Sequence, residues 1–308
     1  PPLTEKPFQI ILEGLSGFMP RLGFCFSLFT IFAFHFVVMK ELSTRTVSGL
    51  VFALVVIVCV FVAPWSMAAL LSVVVGIGVF EMCRLHGMVQ ARQVLVVEAI
   101  ALVAFLVGAF VALNWLSARW LLLELLFMGL PFLYALFSNS IRHETVFSCC
   151  YASLTFLSLP CALMLFMYRP DLFGDMAGPW LVISVFCLLW VNDIFAYLTG
   201  KLLGKHKLFE RISPGKTIEG SLGGLVFTVV AVTIFSHYAD WLPMNAAIGM
   251  GAIAVVFGTL GDLCESMLKR QAGVKDSGKL IPGHGGILDR FDSVLFSVPF
   301  IFVYLLLL

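Results

Sequence analysis

Charge is what this sequence has least of. Only 12% of its 308 residues are Asp, Glu, Lys or Arg, about half of the roughly 25% usual in soluble domains. So few charges cannot clothe a water-exposed surface, which excludes a soluble enzyme and a disordered chain. The eight cysteines stand at 25, 59, 83, 149, 150, 161, 187 and 264, mostly inside apolar runs. None forms a Cys-x-x-Cys pair or a Cys/His cluster at zinc spacing, so neither a zinc site nor a disulfide scaffold is indicated, and reduced, lipid- or core-facing thiols are expected. Gly215-Lys216-Thr217 has the ending of a P-loop, but the required earlier glycine is absent because Glu210 occupies its place. No βαβ pattern surrounds it, and the P-loop reading is rejected.

Hydrophobic residues make up 61% of the chain, with 30 Phe among them, and the mean hydropathy is +1.04. A spanning helix needs about 20 mainly apolar residues. Nine such runs follow Met39, at approximately 47–62, 66–83, 94–113, 120–137, 147–167, 180–198, 221–239, 245–264 and 291–308. They are continuous rather than alternating, so they read as helices and not as barrel strands. The fold class expected is therefore all-α: a polytopic integral membrane protein of about nine transmembrane helices. Residues 1–38 form an N-terminal extension whose apolar stretch, 22–38, reads as an extra span or an interfacial helix. No small-residue cleavage site lies near Met39, which speaks against a cleaved signal peptide. The chain begins at Pro1, and Met39-Lys40-Glu41-Leu42 would itself serve as a start, so the extension is expected to be dispensable. Residues 39–308 are expected to be the membrane-embedded catalytic domain.

Nine spans place alternate loops on one side. Of the 19 Lys and Arg residues, the opposite side holds Arg119 and Arg169, and the N-terminal segment holds Lys6 and Arg21. The other fifteen share one side, which the positive-inside rule makes cytoplasmic; the C-terminus is then outside. The two loops richest in polar residues, 199–220 and 265–290, are both on the cytoplasmic side and only one helical hairpin apart. They can converge on one site.

Five polar groupings lie there. In Gly261-Asp262-Leu263-Cys264-Glu265-Ser266-Met267-Leu268-Lys269-Arg270, a 100° turn per residue gathers Asp262, Glu265, Ser266, Lys269 and Arg270 on one face. The bland alternative is a solvated helix end with i,i+4 pairs. The stretch from Lys275-Asp276 to Gly285-Gly286, with His284 inside it, can cradle phosphate oxygens on backbone N–H groups or be a plain flexible turn. Asp289 and Asp292 share a face at the start of the last span. They suit a helix N-terminus, or they face Asp262 and Glu265 across a Mg²⁺ site. Asn192-Asp193 puts an acid within the sixth run, where acids are costly and mark function by default, although a structural partner for a loop cation is the alternative. The basic loop around Lys205, Lys207 and Lys216 can bind lipid head groups or nucleotide phosphates, or serve only as a positive-inside loop. Acids, cations and a glycine loop together suit phosphoryl or nucleotidyl transfer.

Ser266-Met267-Leu268-Lys269-Arg270, four residues, Lys275-Asp276, and then Pro282-Gly283-His284-Gly285-Gly286-Ile287-Leu288-Asp289-Arg290-Phe291-Asp292 resembles the signature of the phosphatidate cytidylyltransferase (CDP-diacylglycerol synthase) family. Asn192-Asp193 with Ala196-Tyr197, and Ser213-Pro214-x-Lys216-Thr217-x-Glu219-Gly220, are similar to that family in the same order, and the likeness runs roughly from 39 to 308. The resemblance implies transfer of CMP from CTP to phosphatidic acid, with release of pyrophosphate and a need for Mg²⁺, as one ion or two. It implies that Asp262 and Asp289 hold the metal with Asp292 and Glu265 nearby. Lys216, Lys269, Arg270, Lys275 and Arg290 would meet phosphates, and His284 would orient one. Asp262, Asp289, Lys269, Arg270 and Arg290 form the implied catalytic set. Asn192, Asp193, Ser213, Lys216, Thr217, Glu219, Ser266, Lys275, Asp276, His284, Gly285 and Gly286 are the implied substrate-binding positions. A homodimer is implied too, in a bacterial inner membrane with the site facing the cytoplasm and no nucleic-acid partner. Ile218 stands where many relatives have Trp, and Ile194 and Phe195 where they have small residues, so base or lipid contacts are open to change. A CTP-dependent lipid-alcohol kinase is the nearest enzymatic rival. A CDP-alcohol phosphatidyltransferase would need an Asp-Gly-x-x-Ala-Arg string, which is absent. A transporter, the non-enzyme alternative, would place its polar groups near the midplane and often shows repeats.

Overall fold

A computed structural model describes residues 48–88, 90–137, 143–278, 280 and 285–308. The chain divides into two compact units, Pro1–Val51 and Phe52–Leu308. Of the first, only 48–51 are described, and they are helical. The extension at 1–38 lies outside the described residues.

Nine apolar helices run through the described residues, one for each expected span. They are α1 (Ser48–Val62), α2 (Pro64–Leu85), α3 (Ala91–Ala112), α4 (Ala118–Phe137, opening on a 3₁₀ turn), α5 (His143–Phe166), α6 (Pro179–Leu203), α7 (Ile218–Tyr238), α8 (Met244–Gln271) and α9 (Leu288–Leu306). Seven of them, α2 to α8, are long and apolar enough to cross a membrane. Helix α1 is shorter, and α9 carries Asp289, Arg290 and Asp292 in its first two turns. The 25 residues of α6 reach about 37 Å at 1.5 Å per residue, enough for a hydrocarbon core of about 30 Å. The protein is an all-α integral membrane protein. Along α4 and α7 few side chains are buried, and Leu122, Leu125, Phe132, Leu222 and Val226 are exposed, as lipid-facing helices require.

Two helices run past their apolar stretches. Helix α6 continues to Leu203 and α8 to Gln271; in α8 the polar residues Glu265, Ser266 and Lys269 that extend it are buried against protein. Helix α5 contains a π-helical turn at Leu154–Ser158, just before Pro160. Proline removes an N–H and crowds the preceding turn. The hydroxyl of Ser158 there donates to the Ala101 carbonyl of α3 at 2.7 Å.

The loop after α6 is not plain loop, as the sequence suggested. It folds into an antiparallel hairpin, β1 (Lys207–Phe209) and β2 (Ser213–Thr217), pairing Lys207 with Thr217 and Phe209 with Ser213. Thr217 ends the hairpin and caps α7, its Oγ1 accepting from the Gly220 N–H at 3.1 Å. Glu219 folds back to accept from the Lys205 and His206 N–H groups at 3.1 and 3.2 Å, with His206 Nδ1 at 2.6 Å. The motif Thr217-x-Glu219 thus fastens the hairpin to the end of the bundle.

Helix α9 is the central post, with Phe291, Leu295, Val298 and Ile301 fully buried. It packs on α8, and also meets α2, α5 and α6. Small residues of α8 bring the helices close, as small-residue seams do in membranes. A Cβ added at Gly261 would lie 2.6 Å from Phe296 Cβ and 2.7 Å from the Asp292 carbonyl oxygen. That places Asp262 against Asp292. Gly261→Ala is expected to push α9 away and destabilise the protein by about 1–3 kcal/mol. Thermal unfolding of the purified variant in detergent micelles checks this.

Candidate active site

The site forms where the C-terminal end of α8, the N-terminal end of α9 and the hairpin meet. The polar stripe of α8 is not a solvated end. Glu265 is 1% exposed, and Ser266 and Lys269 are 8% exposed. One turn apart on a helix, Asp262, Glu265, Ser266 and Lys269 all look inward toward α9.

Lys269 is the joint of the cluster. Its Nζ lies 2.5 Å from Glu265 Oε2 and 2.6 Å from Asp289 Oδ1, so one ammonium ties α8 to α9. Asp289 Oδ2 accepts from the Gly286 N–H at 2.7 Å and from the Ser277 N–H at 3.0 Å, with the Ser277 hydroxyl oxygen also 3.0 Å away. Gly285, at φ +83°, makes the turn that aims the Gly286 N–H. Lys216 of β2 forms an ion pair with Asp262 Oδ2, and Ser266 donates to Asp262 Oδ1 at 3.2 Å. Asp292 Oδ1 accepts from the Ser293 N–H at 2.6 Å.

Asp262, Glu265 and Asp292 can each offer an oxygen within 4.8 Å of the others. Asp289 stands outside this trio, linked to it through Lys269. Glu265 Oε1 is buried and finds no donor among the described residues. Asp262, Glu265, Asp289 and Asp292 thus share the ammonium groups of Lys216 and Lys269. Buried charge left unmatched costs several kcal/mol. Hard oxygen donors clustered within reach of one another and an orphaned carboxylate oxygen fit a divalent cation of the Mg²⁺ type.

Beside the trio lies a cleft of about 440 Å³, the size of a small-ligand site. Asn192 and Asp193 of α6, Ser213, Lys216 and Thr217 of the hairpin, and Asp262 line it. Asn192 Oδ1 is buried there and finds no donor among the described residues. Asp193 opens on the cleft within electrostatic reach of Lys216, Asp262 and Arg290.

The other expected positions lie apart from this core. Arg270 turns outward, its Nη1 donating to the Val274 carbonyl at 3.1 Å and its Nε reaching the Ile212 carbonyl at 3.4 Å. Lys275, Asp276 and Arg290 are exposed at the rim. Glu219 serves the hairpin rather than the cleft. His284 lies outside the described residues. On the far side of the bundle, Arg169 pairs with Asp171 at 2.6 Å, and that hydrogen bond holds the Asp171 carboxyl below its ordinary range. The pair is too exposed to add much stability.

Sequence reasoning passed over Glu81. This residue of α2 is 3% exposed and stands among the loop residues that hold Asp289. Its signal was available: it is the one acid in the 22 residues of α2, and an acid inside a span is a functional candidate by default.

Replacing Lys269 with Met leaves Glu265 and Asp289 without their shared cation. A loss of about 3–5 kcal/mol is expected, as for other broken buried ion pairs. Adding Glu265→Gln should restore much of it, and denaturant unfolding of both variants in micelles measures the difference.

Comparison with known proteins follows the same lines. The model of the cytidylyltransferase family matches residues 43–308. The phosphatidate cytidylyltransferase of Staphylococcus aureus (strain COL) is 47% identical over 127 residues, which cover 41% of this chain and 48% of that protein. The phosphatidate cytidylyltransferase of Staphylococcus haemolyticus is 39% identical over 178 residues, covering 56% of this chain and 66% of the relative. The chain thus spans about half the length of the Staphylococcus aureus relative that it matches. A family match over residues 43–308 takes in α1 to α9 and every residue of the cleft: this chain belongs to the cytidylyltransferase family.

Proposed function

We propose that the protein transfers CMP from CTP to phosphatidic acid, forming CDP-diacylglycerol and pyrophosphate. One observation carries this reading: three acids of α8 and α9 converge beside a cleft whose wall includes Lys216, at the end of a membrane helix bundle. The relatives' names supply the substrates, CTP and a lipid phosphate. A lipid acceptor agrees with a site built between membrane helices.

In this reading Asp262, Glu265 and Asp292 hold Mg²⁺, and the family signature adds Asp289. When bound, the ion screens phosphate charge and steadies the departing pyrophosphate. Lys216, in the cleft wall, leaves Asp262 to meet a phosphate of the nucleotide; the family signature assigns Lys269 to another, although it sits behind the wall between Glu265 and Asp289. Asn192, Asp193, Ser213 and Thr217 offer the cleft's polar contacts. The phosphate oxygen of phosphatidic acid, already anionic at neutral pH, attacks the α-phosphorus of CTP. A new P–O bond forms, the α–β bridge breaks, and pyrophosphate carries off the electron pair. No strong general base is needed. Arg270, Lys275 and Arg290 form a basic rim for incoming anions, and by the family signature His284 orients a phosphate. The basic loops support a site on the cytoplasmic face, the bacterial relatives support an inner membrane, and the family likeness suggests a homodimer.

The test is conversion of phosphatidic acid to CDP-diacylglycerol by the purified protein in mixed micelles. Mg²⁺-dependent product, falling at least about a hundredfold in Asp262→Asn and Asp292→Asn, is expected. A lipid-alcohol kinase would instead give CDP and a phosphorylated alcohol from CTP. That product, or none from folded protein, overturns the reading.

A further inference from the structure

The geometry points to Glu81 as a positioning residue of the reaction, one that acts from α2 through the signature loop upon Asp289. This rests on the function proposed above.

The Glu81 carboxylate is a hub of donors from the far side of the sequence. Its Oε2 accepts from the Ser277 hydroxyl at 2.8 Å and the Leu288 N–H at 3.0 Å, and its Oε1 from the Ile287 N–H at 3.1 Å. Two of these donors are backbone groups at the very start of α9. Helix N-termini leave such N–H groups without intrahelical partners, and a carboxylate there is favourable. Glu81 therefore caps α9 from another helix, where Ile287 itself offers no side-chain cap.

The loop is shaped around this carboxylate. A Cβ added at Gly278 would come within 2.9 Å of Glu81 Cδ, and one at Gly286 would strike its oxygens. Ser277 lies between two acids, with its hydroxyl 2.8 Å from Glu81 Oε2 and 3.0 Å from Asp289 Oδ2. The N–H of Gly286, next to Ile287 in the chain, holds Asp289 Oδ2. Glu81 thus fixes both backbone neighbours of the Asp289 carboxylate, and Asp289 fixes Lys269. The chain of contact runs Glu81, loop, Asp289, Lys269, Glu265. Glu81 is not in the wall of the cleft, so it does not touch substrate.

A neutral amide cannot replace it. Glutamine offers one acceptor oxygen in place of two, and its NH₂ would point at a backbone N–H. Aspartate keeps the charge and both oxygens on a shorter stem. In the micelle assay, Glu81→Gln is expected to lower kcat about 10–100-fold, the usual effect of removing a group that orients a metal-site ligand. KM for CTP should change less than about threefold, since the cleft wall is untouched. Glu81→Asp should recover part of kcat. Hydrogen exchange read by mass spectrometry supplies a measurement free of activity: peptides holding Ser277 and Ile287–Leu288 should lose protection in Glu81→Gln while those of α6 and α7 keep theirs. Wild-type kcat with unaltered exchange in Glu81→Gln overturns the inference. So does general loss of protection in both variants with no recovery by Asp, which would make Glu81 a fold residue alone. Absence of product from the wild type would instead sink the proposed function, while the exchange comparison still judges Glu81.

Discussion

Lys269 holds two acids from two helices, Glu265 on its own helix and Asp289 on the next. In a membrane bundle this bridge is the constraint on which the rest depends. Water is scarce there, and each carboxylate must find a donor or a cation. One ammonium serves two of the four acids, Lys216 serves a third through Asp262, and Asp292 has a backbone N–H. Carboxylates still outnumber these ammonium groups. The fold thus stores an excess of negative oxygen beside an open cleft, an arrangement that suits a bound divalent cation and a polyphosphate better than it suits the bundle alone.

The surrounding architecture serves to hold those oxygens close. Glycines of α8 let α9 approach until the Asp292 backbone nearly touches Gly261. The hairpin carries Lys216 to Asp262, and Thr217 with Glu219 locks the hairpin to α7. Helix α2 reaches across from the other half of the sequence to fasten the start of α9. Each contact adds little alone. Together they leave the lipid-facing sides of α4 and α7 plain and apolar while one end of the bundle is densely polar.

Much of this was legible in the residues. The nine apolar runs gave nine helices, and the inward stripe of α8 followed from its 100° periodicity. Asp262, Glu265, Asp289 and Asp292 were expected to face one another; Asp262, Glu265 and Asp292 come within 4.8 Å, while Asp289 is joined to them through Lys269. Helix ends were less legible, since Leu203 and Gln271 lie beyond the apolar stretch that hydropathy detects. The hairpin was missed because strands of three and five residues leave too short a pattern to read. Arg270 looked like a member of the cluster because, about 80° from Asp262, it falls at the edge of the polar face. Near the helix end, however, its long side chain swings to the loop carbonyls instead. Glu81 was hidden for a different reason: its partners are backbone groups some 200 residues away, and no local spacing announces them.

The central claim is that the excess carboxylates of α8 and α9 form one divalent-metal site. Binding of Mn²⁺ to the purified protein in micelles, followed by electron paramagnetic resonance with Mg²⁺ as competitor, tests it without reference to turnover. The account predicts a Mg²⁺-displaceable Mn²⁺ site in the wild type that weakens about 10–100-fold or more in Glu265→Gln. Equal Mn²⁺ binding by wild type and variant, or none by a folded wild type, would contradict it.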